Sequence, residues 1–415
     1  MASRITVKRI GHKLHFVLLM ALIGIGAACG GGGSPTPTPT KSALRGLLDL
    51  GDISFYTNSS SAIPINDPDE LQPFASSFTG IVINATWAQL QPIGDTPLAD
   101  DNPIDQALQA VRNYNSANRS NPLLVKLRVW GGLTAPDWVK AQAVCGQTEG
   151  AINVTYIDQN DQQETGTVGA WWTPTYIREW RRLQALLARK YDSDRLIQEV
   201  AATSCASSTD EPIIAWNRGE FMENGAPQTT INQLQQCGYS DQAQQACLAG
   251  AIEDYSAWVN TPLDFPFSIY VVTDADVPPT PKLSTDPAFT ATLMEACAAA
   301  GHCILSNQAL RNPLYSPDQI VYTTMVQLYP KAAIDFQTAS PANIMDWCGA
   351  VGDGVTLHAS SLEMWGDFGG FLTLPDGVAI MANLSAAVLN HTQPAPSPCP
   401  PITTRIPSPS PTPAA

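Results

Sequence analysis

Eight short, apolar, β-rich segments alternate with helix-like segments along this chain, and this alternation limits the possible folds more than any other feature. The strand signals lie at residues 44–56, 80–87, 123–130, 197–205, 265–273, 302–309, 332–339 and 355–365. Between them, helical spacing of apolar residues is clearest at residues 102–117, 173–191, 241–258 and 286–300. Eight repeats of strand and helix predict an α/β fold, a (β/α)8 TIM barrel built as a single domain with long loops.

An open, doubly wound sheet is the alternative α/β architecture. Such sheets commonly carry a glycine-rich phosphate-binding turn after the first strand. No such signature follows residues 44–56, so the barrel is favoured. Barrel enzymes place their sites at the C-terminal ends of the strands, and polar residues at those ends are therefore the candidates for function.

The first 28 residues predict a secretory signal peptide of the lipoprotein type. Four basic residues and no acidic residue accompany an apolar run at residues 16–28, which is too short for a transmembrane helix. The run ends in GAAC at residues 26–29, which resembles the lipobox of bacterial lipoproteins, although Gly26 stands where an aliphatic residue is usual. The resemblance implies that Cys29 becomes the lipid-modified N-terminus. Ordinary signal-peptidase cleavage after Ala28 is the alternative.

Composition divides the rest of the chain into three parts. Residues 29–41 are a Gly/Pro-rich tether, residues 42–393 are the barrel domain, and residues 394–415 are a Pro/Ser-rich tail. Gly30 follows the lipobox cysteine, where an aspartate often retains lipoproteins at the inner membrane. We therefore expect an exported protein that is lipid-anchored to the bacterial outer membrane, in the periplasm or at the cell surface.

The cysteine count indicates disulfides. Nine cysteines minus Cys29 leave eight, and an even number in an exported chain favours disulfide pairing. Proximity in sequence predicts the pairs Cys237–Cys247, Cys297–Cys303, Cys145–Cys205 and Cys348–Cys399. No CxxC pair occurs and the five histidines are scattered, so we expect no metal and no cofactor.

The charge balance limits the partners. The chain has 22 basic and 37 acidic residues, which gives a formal net charge of −15. Nucleic acids and anionic membranes are bound through basic patches, so we expect no nucleic acid partner and membrane contact only through the lipid anchor. Hydrophobic residues make up 44% and charged residues 14%, which excludes a disordered polar chain.

The ends of the predicted strands combine amides, carboxylates, one arginine and several tryptophans. They are Asn84, Trp87, Arg128, Trp130, Asp210, Glu211, Asn307, Asp335, Gln337, Glu363 and Trp365. Amides and carboxylates hydrogen-bond to sugar hydroxyls, and indole faces stack on the C–H surfaces of sugar rings. This pattern predicts a carbohydrate substrate bound at one barrel mouth, in a protein that we expect to be a monomer.

The segment Asp210-Glu211-Pro212 resembles the Asn-Glu-Pro that ends strand four in clan A glycoside hydrolases. These are retaining (β/α)8 enzymes that include cellulases, xylanases and β-galactosidases, and the resemblance covers roughly residues 42–390. It implies an acid/base role for Glu211, a sugar-stacking role for Trp365 and an active-site role for Arg128. The family has a nucleophilic glutamate at the end of strand seven, where this chain has Gln337, an amide that cannot act as a carboxylate nucleophile.

Gln337 leaves three interpretations open. Glu363 can supply the second carboxylate, because it shares strand parity with Trp365. Asp335 can supply it instead, because it shares parity with Gln337. The barrel can also bind sugar without hydrolysis.

The leading hypothesis is an exported glycoside hydrolase that cleaves an oligo- or polysaccharide with paired carboxylates. In this hypothesis Glu211 donates a proton to the leaving oxygen, and Glu363 is the ionised group. Either burial or a neighbouring carboxylate, which Asp210 can supply, raises the pKa of Glu211. The alternatives are a non-catalytic glycan-binding lipoprotein on a degenerate hydrolase barrel and a structural envelope protein.

Overall fold

The computed structural model describes residues 41–51, 66–157, 163–206, 234–273, 284–340, 343–365, 374–397 and 399. Eight parallel strands form a closed barrel in these residues. The strands are β1 (Gly46–Asp49), β2 (Phe78–Thr86), β3 (Leu124–Trp130), β4 (Ile197–Ala201), β5 (Leu263–Pro266), β6 (Cys303–Leu310), β7 (Ile334–Thr338) and β8 (Ala359–Met364). Their spatial order follows the chain, and β8 closes the barrel by pairing with β1. The predicted (β/α)8 barrel is confirmed.

The longer helices of the described residues lie between the strands and after the last one. They are α1 (Pro103–Ala117), α2 (Pro174–Tyr191), α3 (Asp241–Asp254), α4 (Pro287–Ala300), α5 (Gln319–Leu328), α6 (Trp347–Thr356) and α7 (Gly377–Asn390). Helix α2 starts where the sequence predicts, because the Thr173 hydroxyl accepts a hydrogen bond from the Tyr176 amide and Pro174 occupies the first turn. Among the described residues, no helix combines the length and hydrophobicity needed to span a membrane.

Long connections at the C-terminal ends of the strands carry short antiparallel ribbons. The connection from β3 to α2 contains the paired strands Val144–Cys145 and Thr148–Glu149, and then the pair Ile152–Ile157 and Gln163–Val168. The connection from β5 to α4 contains the pair Tyr270–Val272 and Ser284–Asp286. These ribbons account for the length of the predicted loops.

Several predicted strand boundaries are wrong. The first strand ends at Asp49 rather than near residue 56, and the fifth covers Leu263–Pro266 rather than residues 265–273. The fourth strand ends at Ala201 rather than near residue 205, and the eighth begins at Ala359 rather than near residue 355. Residues up to Thr356 close the last turn of α6, and His358 then adopts a left-handed conformation with φ of 66° that separates helix from strand. Alternating apolar residues near a helix end resemble a strand in sequence, which explains the error at the start of the eighth strand.

Four disulfides connect Cys145–Cys237, Cys205–Cys247, Cys297–Cys303 and Cys348–Cys399. The last two confirm the sequence prediction, whereas the predicted pairs Cys237–Cys247 and Cys145–Cys205 are wrong. Helix α3 explains why these partners differ from the prediction, because it holds Cys247 buried beside Cys205, which follows β4. Cys237 precedes α3 and instead meets Cys145 on the ribbon that follows β3.

Candidate functional site

A cluster of charged side chains fills the centre of the barrel. The ammonium nitrogen of Lys126 lies 2.8 Å from Glu363, 2.9 Å from Asp264, 3.4 Å from Glu199 and 3.6 Å from Asp335. All five side chains are at most 2% exposed. Barrels of this class are usually filled with branched apolar side chains, so this Lys126 cluster is an uncommon feature whose charges must be balanced inside the protein.

Strand parity brings the cluster together. Lys126, Arg128 and Trp130 occupy alternate positions of β3 and therefore share its inward face. The strand register pairs Lys126 with Glu199 and Gln337 with Glu363. Sequence reasoning missed Lys126, Glu199 and Asp264 as parts of the barrel interior. The available signal is a charged residue within a short, otherwise apolar strand.

Three carboxyl groups of the cluster, those of Asp335, Glu199 and Glu363, have shifted pKa values, and the directions differ. Burial raises the pKa of Asp335 well above its ordinary value, and the neighbouring Glu199 carboxylate raises it further. Burial also raises the pKa of Glu199, although Lys126 opposes this effect. Two adjacent buried carboxyl groups cannot both ionise without cost, which agrees with the direction of both shifts.

Glu363 behaves in the opposite way. Burial alone would raise its pKa, but the charges of Arg128 and Lys126 outweigh burial and hold the pKa below its ordinary value. One guanidinium nitrogen of Arg128 donates to both Glu363 oxygens, at 2.9 and 2.8 Å. Burial likewise disfavours charge on Lys126, yet the four carboxylates raise its pKa well above the ordinary value. Glu363 is therefore an ionised carboxylate held by two cations.

The mouth side of the cluster carries several predicted site residues. Trp130 and Trp365 pack with Leu50 and Val82 in a small apolar group. The Trp130 indole donates to the Asn84 side-chain oxygen at 3.1 Å, and the Trp365 indole donates to the Thr338 carbonyl at 2.8 Å. Trp365 is partly exposed, so it offers accessible indole surface near Glu363. The structure thus brings together Asn84, Arg128, Trp130, Gln337, Glu363 and Trp365.

Trp87 does not belong to this group. It begins the short helix Trp87–Leu90, and its ring is fully buried. Edge contacts join it to Trp138, Tyr176 and Trp180, with ring centroids 5.2 to 5.7 Å apart. No ring face remains for a sugar, which corrects the predicted platform role to one in core packing.

Asn307 does not line the barrel mouth either. Its side-chain amide donates to the Phe267 carbonyl at 2.8 Å and to Asp318 at 3.0 Å, and its oxygen accepts from the Ala309 amide. Its neighbour Ser306 pairs in register with Asp335, a member of the Lys126 cluster, so Asn307 has the opposite parity. The predicted sugar contact of Asn307 is therefore corrected to a structural role, and Asp335 lies in the cluster rather than at the surface of the mouth.

Asp210, Glu211 and Cys29 lie outside the described residues. Strand β4 ends at Ala201, ten residues before Glu211, whereas the glutamate of the resembling family ends its strand. Thr203, just beyond this strand end, is buried, and its hydroxyl donates to the Val129 carbonyl. The resemblance at strand four therefore rests on the sequence motif alone, because Glu211 follows the end of β4 by ten residues.

Among the residues that the structure describes, no group of three or more histidine, cysteine, aspartate or glutamate side chains is arranged to hold a metal ion. The carboxylates of the Lys126 cluster instead enclose an ammonium group.

No family model and no curated protein matches the sequence of this chain. Among solved structures, the chain is similar to a β-galactosidase from Rahnella sp. R3, with 13% identity, a TM-score of 0.45, and coverage of 86% of this chain and 58% of that one. It is also similar to endo-glycoceramidase II from Rhodococcus sp., with 8% identity, a TM-score of 0.41, and coverage of 80% and 76%. A third is the intracellular xylanase TsXylA from Thermoanaerobacterium saccharolyticum, with 12% identity, a TM-score of 0.38, and coverage of 81% and 90%. The chain spans less than two thirds of the β-galactosidase, and these similarities concern the barrel fold alone.

Proposed function

We propose that this chain is an exported glycoside hydrolase that cleaves O-glycosidic bonds of an oligo- or polysaccharide. The observation that carries the proposal is the ionised Glu363 carboxylate, which two cations hold near the tryptophans of the barrel mouth. Glycoside cleavage needs one ionised carboxylate and one protonated carboxyl group on opposite sides of the scissile bond. Glu363 meets the first requirement.

The second requirement falls to Glu211. In this proposal Glu211 protonates the leaving oxygen, and the neighbouring Asp210 keeps its pKa high. A carboxyl separation of about 5 Å would make Glu363 a nucleophile with retention, whereas roughly 6.5–9.5 Å would leave room for a water and give inversion. Trp365 provides an indole surface for a sugar ring, and the Gln337 amide is suited to sugar hydroxyls.

Export and lipid anchoring at Cys29 are part of the proposal. The disulfides support export, because such bonds persist mainly in oxidising compartments. In bacterial cells fed labelled palmitate, the chain should incorporate label, and a Cys29→Ala variant should not. An unlabelled but exported chain would instead support ordinary signal-peptidase cleavage.

The catalytic roles can be tested with aryl glycosides that differ only in the leaving group. Glu211→Gln should reduce kcat by about 10²–10⁴-fold on phenyl glycosides, since general acid catalysis contributes that much. It should change kcat little on dinitrophenyl glycosides, whose leaving group needs no proton. Glu363→Gln should abolish activity on both, whereas Glu295→Gln, at an exposed position on α4, should not affect either.

Undiminished activity of Glu211→Gln on phenyl glycosides would refute this assignment. The folding of each variant is checked by its urea unfolding midpoint, because Glu363 is buried and ion-paired.

A non-catalytic glycan-binding protein is the second candidate. Gln337 favours it, since this amide lies beside Glu363 in the strand register, where the resembling family has its nucleophile. A binder would show heat of binding with an oligosaccharide in calorimetry and release no reducing ends during long incubation. Turnover that disappears in Glu363→Gln would exclude this candidate.

A further inference from the structure

A separate polar cavity of about 160 Å³ opens at the C-terminal ends of β6 and β7. Its walls include Gln308, Arg311, Tyr315, Ser340 and Asn343. Gln308 is part of β6, and Ser340 follows β7 by two residues, so the cavity lies on the face where barrel sites occur. None of the catalytic roles proposed above uses these side chains.

Arg311 is the charged group of this cavity. Its guanidinium lies over the Tyr315 ring, 4.3 Å from the ring centroid. Within the part of the chain that the structure describes, no carboxylate lies within 4 Å of the Arg311 nitrogens. Contact with an aromatic face orients a guanidinium and leaves its edge for hydrogen bonding, because the N–H donors lie in the plane of the group.

The remaining walls are compatible with an anion. Asp318 contributes a carboxylate, but its oxygens accept hydrogen bonds from the Ile269 amide at 3.3 Å and from the Asn307 side chain at 3.0 Å. Gln308, Ser340 and Asn343 add neutral polar groups, and the Asn343 amide donates to the Ser340 hydroxyl oxygen at 2.8 Å. The net negative charge of the chain acts weakly here, since charges more than about 8 Å apart are screened at physiological salt.

The volume limits the ligand. A water molecule occupies about 30 Å³ in the liquid, so the cavity has room for roughly five waters. This space is sufficient for one sugar residue or part of one. A planar carboxylate suits the fork of N–H donors that arginine presents.

We infer that the Arg311 cavity is a subsite for the carboxylate of an acidic sugar residue, a uronic acid within the glycan. The inference rests on the proposed carbohydrate function and specifies its substrate class. Arg311 binds the carboxylate, and the Tyr315 ring holds the guanidinium in place.

Calorimetric titration of the full chain tests the subsite. The probes are trimers of galacturonate, glucuronate and mannuronate, each compared with the same trimer after reduction of its carboxylates to alcohols. At least one acidic trimer should bind about tenfold to a hundredfold more tightly than its reduced form, as expected for a charge-assisted hydrogen bond. Arg311→Gln should remove this difference and leave the affinity for the reduced trimer unchanged.

Two further variants make the result specific. Asn343→Asp adds a negative charge at an exposed wall position and should weaken only the acidic trimer. Arg189→Gln removes an exposed arginine from the last turn of α2 and should leave the acidic preference intact.

Three outcomes would overturn the inference. Equal affinity for acidic and reduced trimers would overturn it and leave the proposed carbohydrate function standing. An acidic preference that survives Arg311→Gln would place the anion elsewhere. Failure of every trimer to bind would also overturn it, and the aryl glycoside assay would then decide the proposed function independently.

Discussion

Replacement of Lys126 by methionine would remove the cation at the centre of the barrel. Methionine has a similar length, so the change deletes the charge and leaves little void. Four carboxyl groups within 3.6 Å of the ammonium nitrogen would then remain buried without it. Removing one partner of a buried ion pair typically costs about 3–5 kcal/mol, a large part of the roughly 5–15 kcal/mol that stabilises a domain.

The pH dependence of this loss follows from the carboxyl groups. In Lys126→Met the folded-state pKa values of Glu199 and Asp335 should rise further above the unfolded values, because burial then acts without the opposing ammonium charge. A carboxyl group with a raised folded pKa contributes stability below its unfolded pKa and loses it as pH rises through the folded pKa. The deficit of the variant relative to the unmodified chain should therefore be larger at pH 8 than at pH 5.

Urea unfolding at pH 5 and pH 8, followed by tryptophan fluorescence, measures both effects. Lys190→Met is the matched control, because Lys190 forms a surface pair with Asp105 at 2.6 Å and is 41% exposed. Such a surface pair contributes about 0–1 kcal/mol. Two results would refute the balance of charges described for this cluster. One is a Lys126→Met unfolding midpoint equal to that of the unmodified chain at pH 8. The other is a loss of stability in the variant that grows as pH falls.

Three other predictions follow from the same structure. Burial raises the pKa of Asp49 to about 7, so its contribution to stability should be lost as pH rises from about 4 through 7, and Asp49→Asn should flatten that slope in urea unfolding. The paired change Cys145→Ser and Cys237→Ser should lower the free energy of unfolding by about 2–5 kcal/mol, and peptide mapping without reduction should find these two cysteines linked. Trp87→Ala should destabilise the chain by about 3–5 kcal/mol without a specific effect on sugar affinity, whereas Trp365→Ala should weaken sugar binding with a smaller effect on stability.

The barrel was predictable because its signal is repeated along the chain. Each strand is a short apolar segment bounded by turn residues, and eight repeats leave few architectures. The boundaries were less predictable where local patterns conflict, as at Thr356, which closes α6 although neighbouring residues alternate like a strand. The error in two disulfide pairs has a similar origin. Distance along the sequence carries no information about the face of α3 on which Cys247 lies.

The site was predictable only in part, because its contacts join residues that no local pattern connects. Arg128 and Glu363 are 235 positions apart, and their pairing depends on the register of the whole barrel. Ser306 and Asn307 are adjacent in β6 and therefore point to opposite faces of the barrel wall. Both faces are buried, so the sequence does not show which of the two residues points into the barrel. A buried lysine was equally hard to anticipate, since charged residues are rarely buried without partners and those partners lie on other strands.

Strand β3 links stability to the proposed chemistry. Lys126 balances the central carboxylates, and Arg128 on the same face holds Glu363 ionised. An enzyme with Glu363 as its ionised carboxylate requires that this group exchange part of its pairing with the cations for contact with the substrate as the reaction proceeds. A binding protein requires the opposite, a Glu363 that stays paired throughout. The Gln337 amide beside Glu363 is compatible with an enzyme and with a binding protein. Loss of the Glu363 charge distinguishes the two, because it abolishes turnover in an enzyme and only lowers stability in a binding protein.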